Sequence, residues 1–143
     1  MRAYADSSFL LSLYSVGAHS QSAAALVGQH QPVFCLTPFC EAEFTNAVEL
    51  GVFIKRYTSH EARAVRDYFL SHIRSGVFRV VEFPPEAYVL ARTLSRRYTA
   101  KLGTRALDVL HVASALTLKA EAFFTFDQRQ HKLARAEGLR TLP

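Results

Sequence analysis

Short apolar runs alternate along the chain with longer stretches that mix apolar and polar residues. A short apolar run bounded by turn residues is typical of a buried β-strand, and a longer mixed stretch is typical of a helix. The predicted strands cover residues 2–5, 32–36, 78–83, 122–126 and 139–142. The predicted helices cover residues 7–14, 19–28, 38–57, 59–75, 84–98, 105–120 and 127–137.

Residues that favour helix starts stand where several of these stretches begin. Thr37 and Pro38 form a predicted N-cap and first-turn proline, while Ser7 or Ser8 and Thr104 are the predicted caps of two other helices. Because strands and helices alternate, the predicted fold class is α/β, with a parallel sheet covered by helices on both faces. Residues 1–143 are expected to form one domain, since no linker or repeat divides them.

Acidic residues occupy particular places in this pattern. Only four aspartates occur, and three of them, Asp6, Asp108 and Asp127, lie in apolar surroundings where an unpaired carboxylate is costly. Asp6 directly follows the first predicted strand and Asp127 the fourth, while Asp108 lies one turn into its helix. Glu43 lies in the second turn of the helix after strand two. Because ligands of parallel sheets bind beyond the carboxyl ends of the strands, all four acids are expected at one edge.

Carboxylates brought together in this way repel one another unless a cation lies between them. A set of oxygen ligands without His or Cys favours Mg²⁺ or Mn²⁺ over zinc. Such ions activate water and stabilise the leaving oxygen in phosphodiester hydrolysis. The sequence therefore predicts a divalent-metal site that cleaves a phosphate-linked substrate.

The charge of the chain agrees with a polyanionic partner. Seventeen basic residues against twelve acidic ones give a net charge of +5, and thirteen of the basic residues are arginines. The forked donors of arginine suit phosphate oxygens, although an otherwise idle basic surface is also common.

The cysteines and the hydropathy bear on location. Cys35 and Cys40 are too few for a disulfide scaffold and are not spaced as metal ligands, which favours a reducing cytoplasm. No apolar run approaches the roughly 20 residues of a membrane-spanning helix, so no membrane association is expected.

Four blocks of the sequence resemble the motifs of PIN domains, most closely those of VapC toxins of bacterial and archaeal toxin–antitoxin pairs. They are residues 4–14 (YADSSFLLSLY), 36–48 (LTPFCEAEFTNAV), 105–116 (RALDVLHVASAL) and 123–139 (FFTFDQRQHKLARAEGL). Each block alone is weak, but their combination in order covers nearly the whole chain. The resemblance implies a metal-dependent endoribonuclease on a Rossmann-like α/β/α sandwich, usually dimeric and neutralised by a small antitoxin.

Carried over block by block, the resemblance implies that Asp6, Glu43, Asp108 and Asp127 are the four metal-binding and catalytic acids. Glu41 is the alternative in the second block, but it points in a different direction from Glu43 on a helix. The run Ala-Glu-x-x-Asn-Ala at residues 42–47 matches the family's second block and favours Glu43.

The three aspartates also have simpler interpretations. Asp6 and Asp127 could each do no more than cap a helix. Asp108 lies between Leu107 and Val109, where no cap is needed, which makes a purely local role harder to defend. The four acids together, in the order of the family's motifs, outweigh these separate explanations.

Four further residues lie near the predicted site. Ser7 and Thr125 are candidate hydroxyl donors to a substrate, with strand and capping roles as alternatives. Arg129 is a candidate phosphate contact, although a solvated arginine is equally ordinary. His111, one turn after Asp108, is expected to be a packed, hydrogen-bonded histidine rather than a catalytic one.

Other enzyme classes with an aspartate after the first strand fit less well. A receiver domain needs an aspartate after its third strand, where this chain has Glu82, Phe83 and Pro84. A haloacid dehalogenase needs a second aspartate at position 8, which is serine. A silent PIN scaffold is disfavoured by the complete set of acids. A PIN nuclease that processes RNA or cuts DNA outside a toxin–antitoxin pair remains the alternative.

Overall fold

Five parallel strands form the central sheet in a computed structural model that describes residues 1–143. They are β1 (Arg2–Ala5), β2 (Val33–Leu36), β3 (Arg79–Val80), β4 (Ala122–Phe124) and β5 (Thr141–Leu142), arranged in the order β3-β2-β1-β4-β5. All four neighbouring pairs are parallel. The predicted α/β class with a central parallel sheet is confirmed.

Helices connect these strands and cover the sheet. They are α1 (Ser7–Tyr14), α2 (Ser20–His30), α3 (Pro38–Phe53), α4 (Ser59–Arg74), α5 (Glu86–Leu94), α6 (Ala100–Leu102), α7 (Ala106–Thr117) and α8 (Gln128–Ala136), with a π-helical turn at Ser95–Thr99. Helix α1 packs against α2, α3 and α4, and α7 packs against α5 and α8. Because parallel crossovers are right-handed, the reversal of direction after β3 puts these two groups on opposite faces. None of the helices is both long and apolar enough to cross a membrane.

The strand order creates a switch point at β1. The chain passes from β1 to β2 and β3 on one side and then returns to β4 on the other side of β1. Strands β1 and β4 pair directly, with Ala3 opposite Ala122 and Ala5 opposite Phe124. In an open parallel sheet, the crevice beyond the carboxyl ends of such strands is where ligands bind. Asp6 and Thr125 are the first residues beyond these two ends.

Aromatic packing holds these strand ends in place. Tyr4 stacks on Phe123 at 5.7 Å between ring centroids, and Phe9 contacts Phe124 edge-on at 5.0 Å. These four side chains are fully buried. Burying one such ring contributes about 1.5–3 kcal/mol relative to exposure, so the base of the crevice is firmly packed.

Several predicted elements are longer than the observed ones, and β3 and α3 show why. Strand β3 pairs only with β2 and is confined to Arg79–Val80, because the chain beyond it leaves the sheet edge. Helix α3 ends at Phe53 rather than residue 57, because Tyr57 folds back so closely over Gly51 that any side chain at Gly51 would collide with its ring. The backbone N–H of Tyr57 donates to the carbonyl of Gly51 at 3.3 Å.

The predicted cap of α3 is confirmed, whereas that of α7 is wrong. Thr37 accepts from the backbone N–H of Cys40 at the start of α3. The hydroxyl of Thr104 instead bonds to that of Thr99 at 2.8 Å, and Arg105 occupies the N-cap position of α7. This shift by one residue gives Arg105 a place beside the first turn of α7.

Candidate active site

Asp6 is the N-cap of α1, and its carboxylate is fully buried. The backbone N–H of Phe9 donates to it at 2.9 Å, and the hydroxyls of Ser8 and Thr125 donate at 2.8 Å. Burial raises the pKa of Asp6 above its ordinary value, an effect that the charge of His111 and these donors oppose. Asp6 itself caps α1, so the prediction that one of the two following serines does so is wrong.

Thr125 links Asp6 to Asp127. Its hydroxyl donates to Asp6 and accepts from the backbone N–H of Asp127 at 2.9 Å. One carboxylate oxygen of Asp127, Oδ1, caps α8 by accepting the N–H groups two and three residues further on, at 2.8 and 3.2 Å. The other oxygen, Oδ2, lies 3.6 Å from Arg105 and 3.8 Å from Arg129. Asp127 therefore has a capping oxygen and a second oxygen that faces two cations.

Asp108 lies in the first turn of α7 and is almost completely buried. Its Oδ2 accepts from the backbone N–H of Arg105 at 2.8 Å and from Arg105 Nε at 3.2 Å. Its Oδ1 accepts from Arg105 Nη2 and Gln130 Nε2, both at 3.3 Å. The argument that no cap is needed at this position is therefore wrong, because Asp108 satisfies the free N–H at the helix start. Burial would raise the pKa of Asp108, but the hydrogen bonds and charge of Arg105 lower it.

Glu43 projects from α3 toward His111. His111 Nε2 donates to the Glu43 carboxylate, and His111 Nδ1 lies 3.0 Å from the hydroxyl of Tyr4, which also contacts Cys40 Sγ at 2.9 Å. Burial by itself would lower the pKa of His111, but hydrogen bonds and charges from Cys40 and Glu43 outweigh it and raise the pKa to about 10. His111 is packed and hydrogen-bonded, as predicted, and it is the cation that holds Glu43.

The two candidate acids of the second block have different surroundings. Burial raises the pKa of Glu43, but His111 overcomes this effect and lowers it, while the charge of Asp108 acts to raise it. Glu43 is thus within electrostatic reach of the third acid. Glu41 lines an open hollow with Thr45 and Asn46, and its carboxylate has no hydrogen-bond or ion-pair partner. Glu43 as the acid of the second block stays a prediction, and of the two residues only Glu43 lies near another of the acids.

The structure links three of the four acids at one end of the sheet through intervening side chains, and Glu43 lies within electrostatic reach of Asp108. Asp6 connects through Thr125 to Asp127, and Arg105 connects Asp127 to Asp108. No group of three or more Asp, Glu, His or Cys side chains lies in an arrangement that could hold a metal ion. The donors fit a hard divalent ion chemically, because all four offer oxygen. As they stand, however, hydroxyls, His111 and arginines satisfy them.

Of the predicted substrate contacts, Thr125 and Ser7 face the acids. Thr125 binds Asp6, and hydrogen bonding by Ser7 contributes to the lowered pKa of Glu43. Arg129 lies 3.6 Å from Asp108 and 3.8 Å from Asp127, so this exposed side chain is also paired with acids.

Sequence reasoning missed three site residues, Ser8, Arg105 and Gln130. Each is near an acid in sequence or lies in the first turn after one: Ser8 follows Asp6 by two residues, Arg105 precedes Asp108 by three, and Gln130 follows Asp127 by three. Capping geometry places the side chains of Ser8 and Arg105 beside their acids, so this spacing could have identified these two residues. The Gln130 side chain instead reaches Asp108, 22 residues away, and no local signal in the sequence indicates that contact.

Comparison with known proteins gives one family match. A family model described as the PIN domain matches residues 3–136 of the chain. Curated protein sequences gave no match.

Several solved structures share the fold over almost the whole chain. VapC20 of Mycobacterium tuberculosis, described as a toxin that cleaves the sarcin–ricin loop, is 18% identical, with a TM-score of 0.69 over 91% of this chain and 93% of that one. VapBC2 of Rickettsia felis, bound to a DNA fragment from its promoter, is 16% identical, with a TM-score of 0.67 over 99% and 98%. FitAcB of Neisseria gonorrhoeae is 14% identical, with a TM-score of 0.71 over 99% and 96%.

Proposed function

The chain belongs to the PIN-domain family, and from this premise we propose that it is a Mg²⁺- or Mn²⁺-dependent endoribonuclease that acts as the toxin of a toxin–antitoxin pair. The observation that carries the proposal is that Thr125 and Arg105 link Asp6, Asp127 and Asp108 beyond the carboxyl ends of β1 and β4, with Glu43 in electrostatic reach of Asp108. These acids come from four separate parts of the sequence. The three aspartates also satisfy helix starts, but buried carboxylates that share counter-charges in a crevice are typical of functional sites.

In this proposal the four acids hold the metal and the surrounding side chains orient them. A bound divalent ion supplies activation of water and stabilisation of the leaving oxygen in phosphodiester hydrolysis. Thr125 fixes the carboxylate of Asp6, and His111 fixes that of Glu43. Arg129, which is 43% exposed, contacts the RNA backbone at the edge of the site.

The proposed substrate is single-stranded or loop RNA. Support comes from VapC20, which is described as cleaving the sarcin–ricin loop, and from the net charge of +5. Basic side chains bind the phosphate backbone without reading bases, and sequence selection in RNA falls mainly on unpaired bases.

The proposed partners are a small antitoxin and a second copy of the chain. Large apolar side chains remain exposed at the end of α3 and on α5 and α7. Phe53 is 81% exposed, and Leu50, Ile54, Tyr88 and Val89 are each more than half exposed. Exposed apolar side chains of this size are typical of assembly surfaces. The expected species are a homodimer in isolation and a larger complex with the antitoxin. The cytoplasm remains the expected location.

The test is cleavage of total RNA by the purified protein with Mg²⁺, with Mn²⁺ and with excess EDTA, beside an Asp6→Asn variant. We expect cleavage with either ion, none in EDTA and none by the variant. Undiminished cleavage in EDTA would contradict the metal mechanism. Single- and double-stranded DNA of matched sequence distinguish the alternative, since cleavage of DNA but not RNA would favour a DNA nuclease outside a toxin–antitoxin pair.

A further inference from the structure

The carboxylate of Asp108 has no free position for another ligand. Arg105 supplies three donors to it, from its backbone N–H, Nε and Nη2, and Gln130 Nε2 supplies a fourth. An ionised carboxylate offers about four lone-pair positions in all. A cation can therefore reach Asp108 only where one of these donors leaves.

Among the four donors, those of the Arg105 side chain are the ones able to leave. The backbone N–H belongs to the start of α7, and Gln130 is buried. The Arg105 side chain is 64% exposed, and its Nη2 also lies 3.6 Å from Asp127 Oδ2. The Arg105 side chain thus neutralises Asp108 and Asp127 from the solvent side. It can move into water without unpacking the core.

We propose that the Arg105 side chain and a divalent cation compete for Asp108 and Asp127, so that Arg105 sets the ion concentration at which the site fills. This inference rests on the proposed function, because it assumes that these acids bind a metal. Both cations neutralise the same carboxylates, so each gains less from them when the other is present. Arg129 is a weaker competitor, since its nearest approach to Asp108 is 3.6 Å and its Nε makes no hydrogen bond.

The experiment measures Mn²⁺ binding by titration calorimetry to EDTA-treated, dialysed protein, together with the melting temperature in EDTA. Arg105→Met keeps the apolar stem and removes the charge, and Arg105→Gln is a second variant with the same loss. Arg66→Met is the matched control, because Arg66 pairs with Glu49 on the surface between α3 and α4. Circular dichroism checks that each variant is folded.

In both Arg105 variants we expect the affinity for Mn²⁺ to rise and the melting temperature in EDTA to fall. Mn²⁺ should bind about tenfold more tightly, since one or more charged hydrogen bonds no longer have to be broken. The melting temperature in EDTA should fall, because Asp108 and Asp127 lose a counter-charge. Arg66→Met should leave Mn²⁺ affinity unchanged.

Other outcomes separate this inference from the proposed function. If wild type binds Mn²⁺ and the Arg105 variants bind it equally or more weakly, competition is overturned while the metal site stands. If neither wild type nor variants bind Mn²⁺, both proposals are overturned. If the Arg105 variants bind Mn²⁺ and wild type does not, the proposal is supported, because Arg105 then excludes the ion completely.

Discussion

Asp6 and Asp108 are almost equally buried, with exposures of 0% and 2%, but the protein neutralises them by different means. Asp6 is held by the hydroxyls of Ser8 and Thr125, short side chains in the first turn of α1 and directly after β4. Asp108 is held chiefly by Arg105, a long side chain that is mostly in solvent. Short donors fix a carboxylate in one position, whereas an exposed arginine balances its charge and can still move away.

The same contrast extends to the other two acids. Glu43 is held by fully buried His111, so it belongs with Asp6 in a fixed half of the site. Asp127 faces Arg105 and Arg129 and belongs with Asp108 in a half whose counter-charges are removable. We expect changes in the fixed half to affect both folding and chemistry, and changes in the removable half to act mainly on binding.

The largest effect is expected on the fixed half at Glu43. Glu43→Gln should lower RNA cleavage by at least about 100-fold, because it removes a charge that the reaction depends on. Glu41→Gln on the same helix is the matched control and should retain most of the activity, since its carboxylate has no partner. The measurement is the rate of RNA cleavage by each variant at saturating Mg²⁺. If Glu41 proved essential and Glu43 dispensable, Glu41 would be the acid of the second block.

His111→Gln should cost stability, because it leaves Glu43 without its buried cation. Removing one partner of a buried ion pair costs about 3–5 kcal/mol, and the 21% exposure of Glu43 reduces this to about 2–3 kcal/mol. The pKa of His111 is raised to about 10 in the folded protein. The charge contribution is therefore complete below about pH 6.5 and is lost as the pH rises toward 10.

Urea unfolding of wild type and His111→Gln at pH 6 and pH 9 checks this prediction. The difference in unfolding free energy should be smaller at pH 9. An equal difference at both values would show that His111 acts through packing alone.

A smaller effect is expected at the link between Asp6 and Asp127. Thr125→Val keeps the shape of the side chain but removes the hydroxyl that donates to Asp6 and accepts from Asp127. The part-buried N–H of Asp127 then lacks its partner, which should cost about 1–2 kcal/mol of unfolding free energy. Thr117→Val is the control, because the Thr117 hydroxyl bonds only to the Ala113 carbonyl within α7. If Thr125→Val and Thr117→Val lost equal amounts of unfolding free energy, the hydroxyl link between Asp6 and Asp127 would have no special role.

The smallest change in stability is expected in the removable half. Arg129→Gln should alter the unfolding free energy by less than about 1 kcal/mol, since Arg129 is 43% exposed. RNA binding should weaken, and the slope of log affinity against log salt should decrease by about one, as for the loss of one phosphate contact. Fluorescence anisotropy over a range of KCl concentrations, in EDTA to prevent cleavage, measures the slope. An unchanged slope would mean that Arg129 serves only as a counter-charge.

The parts of the site that depend on chain topology could be predicted from the sequence. Asp6 and Asp127 follow apolar runs, and neighbouring parallel strands bring such positions together whatever the side chains nearby. The length of β3 could not be predicted, because an edge strand pairs on one side only and the apolar run around it continues past the last pairing. Its predicted six residues are two in the structure.

The hydrogen-bond and ion-pair partners of the acids could not be predicted from the sequence, for a different reason. The contact of His111 with Glu43 depends on how α7 lies against α3, which hydrophobic periodicity does not determine. The contacts of Arg105 depend on the conformation of a long flexible side chain. The sequence could therefore locate the carboxylates but could not show which cations neutralise them.

The outer strands of the sheet have a consequence for self-association. Strands β3 and β5 are each two residues long, and the exposed Arg79 places a charge on one of these edges. Pro143 follows β5 directly and has no backbone N–H to offer an incoming chain. Edges this short, charged and poor in donors are weak templates for adding further strands. The chain should therefore resist sheet-to-sheet aggregation and fibril growth, and its contacts with other chains should run through helix faces.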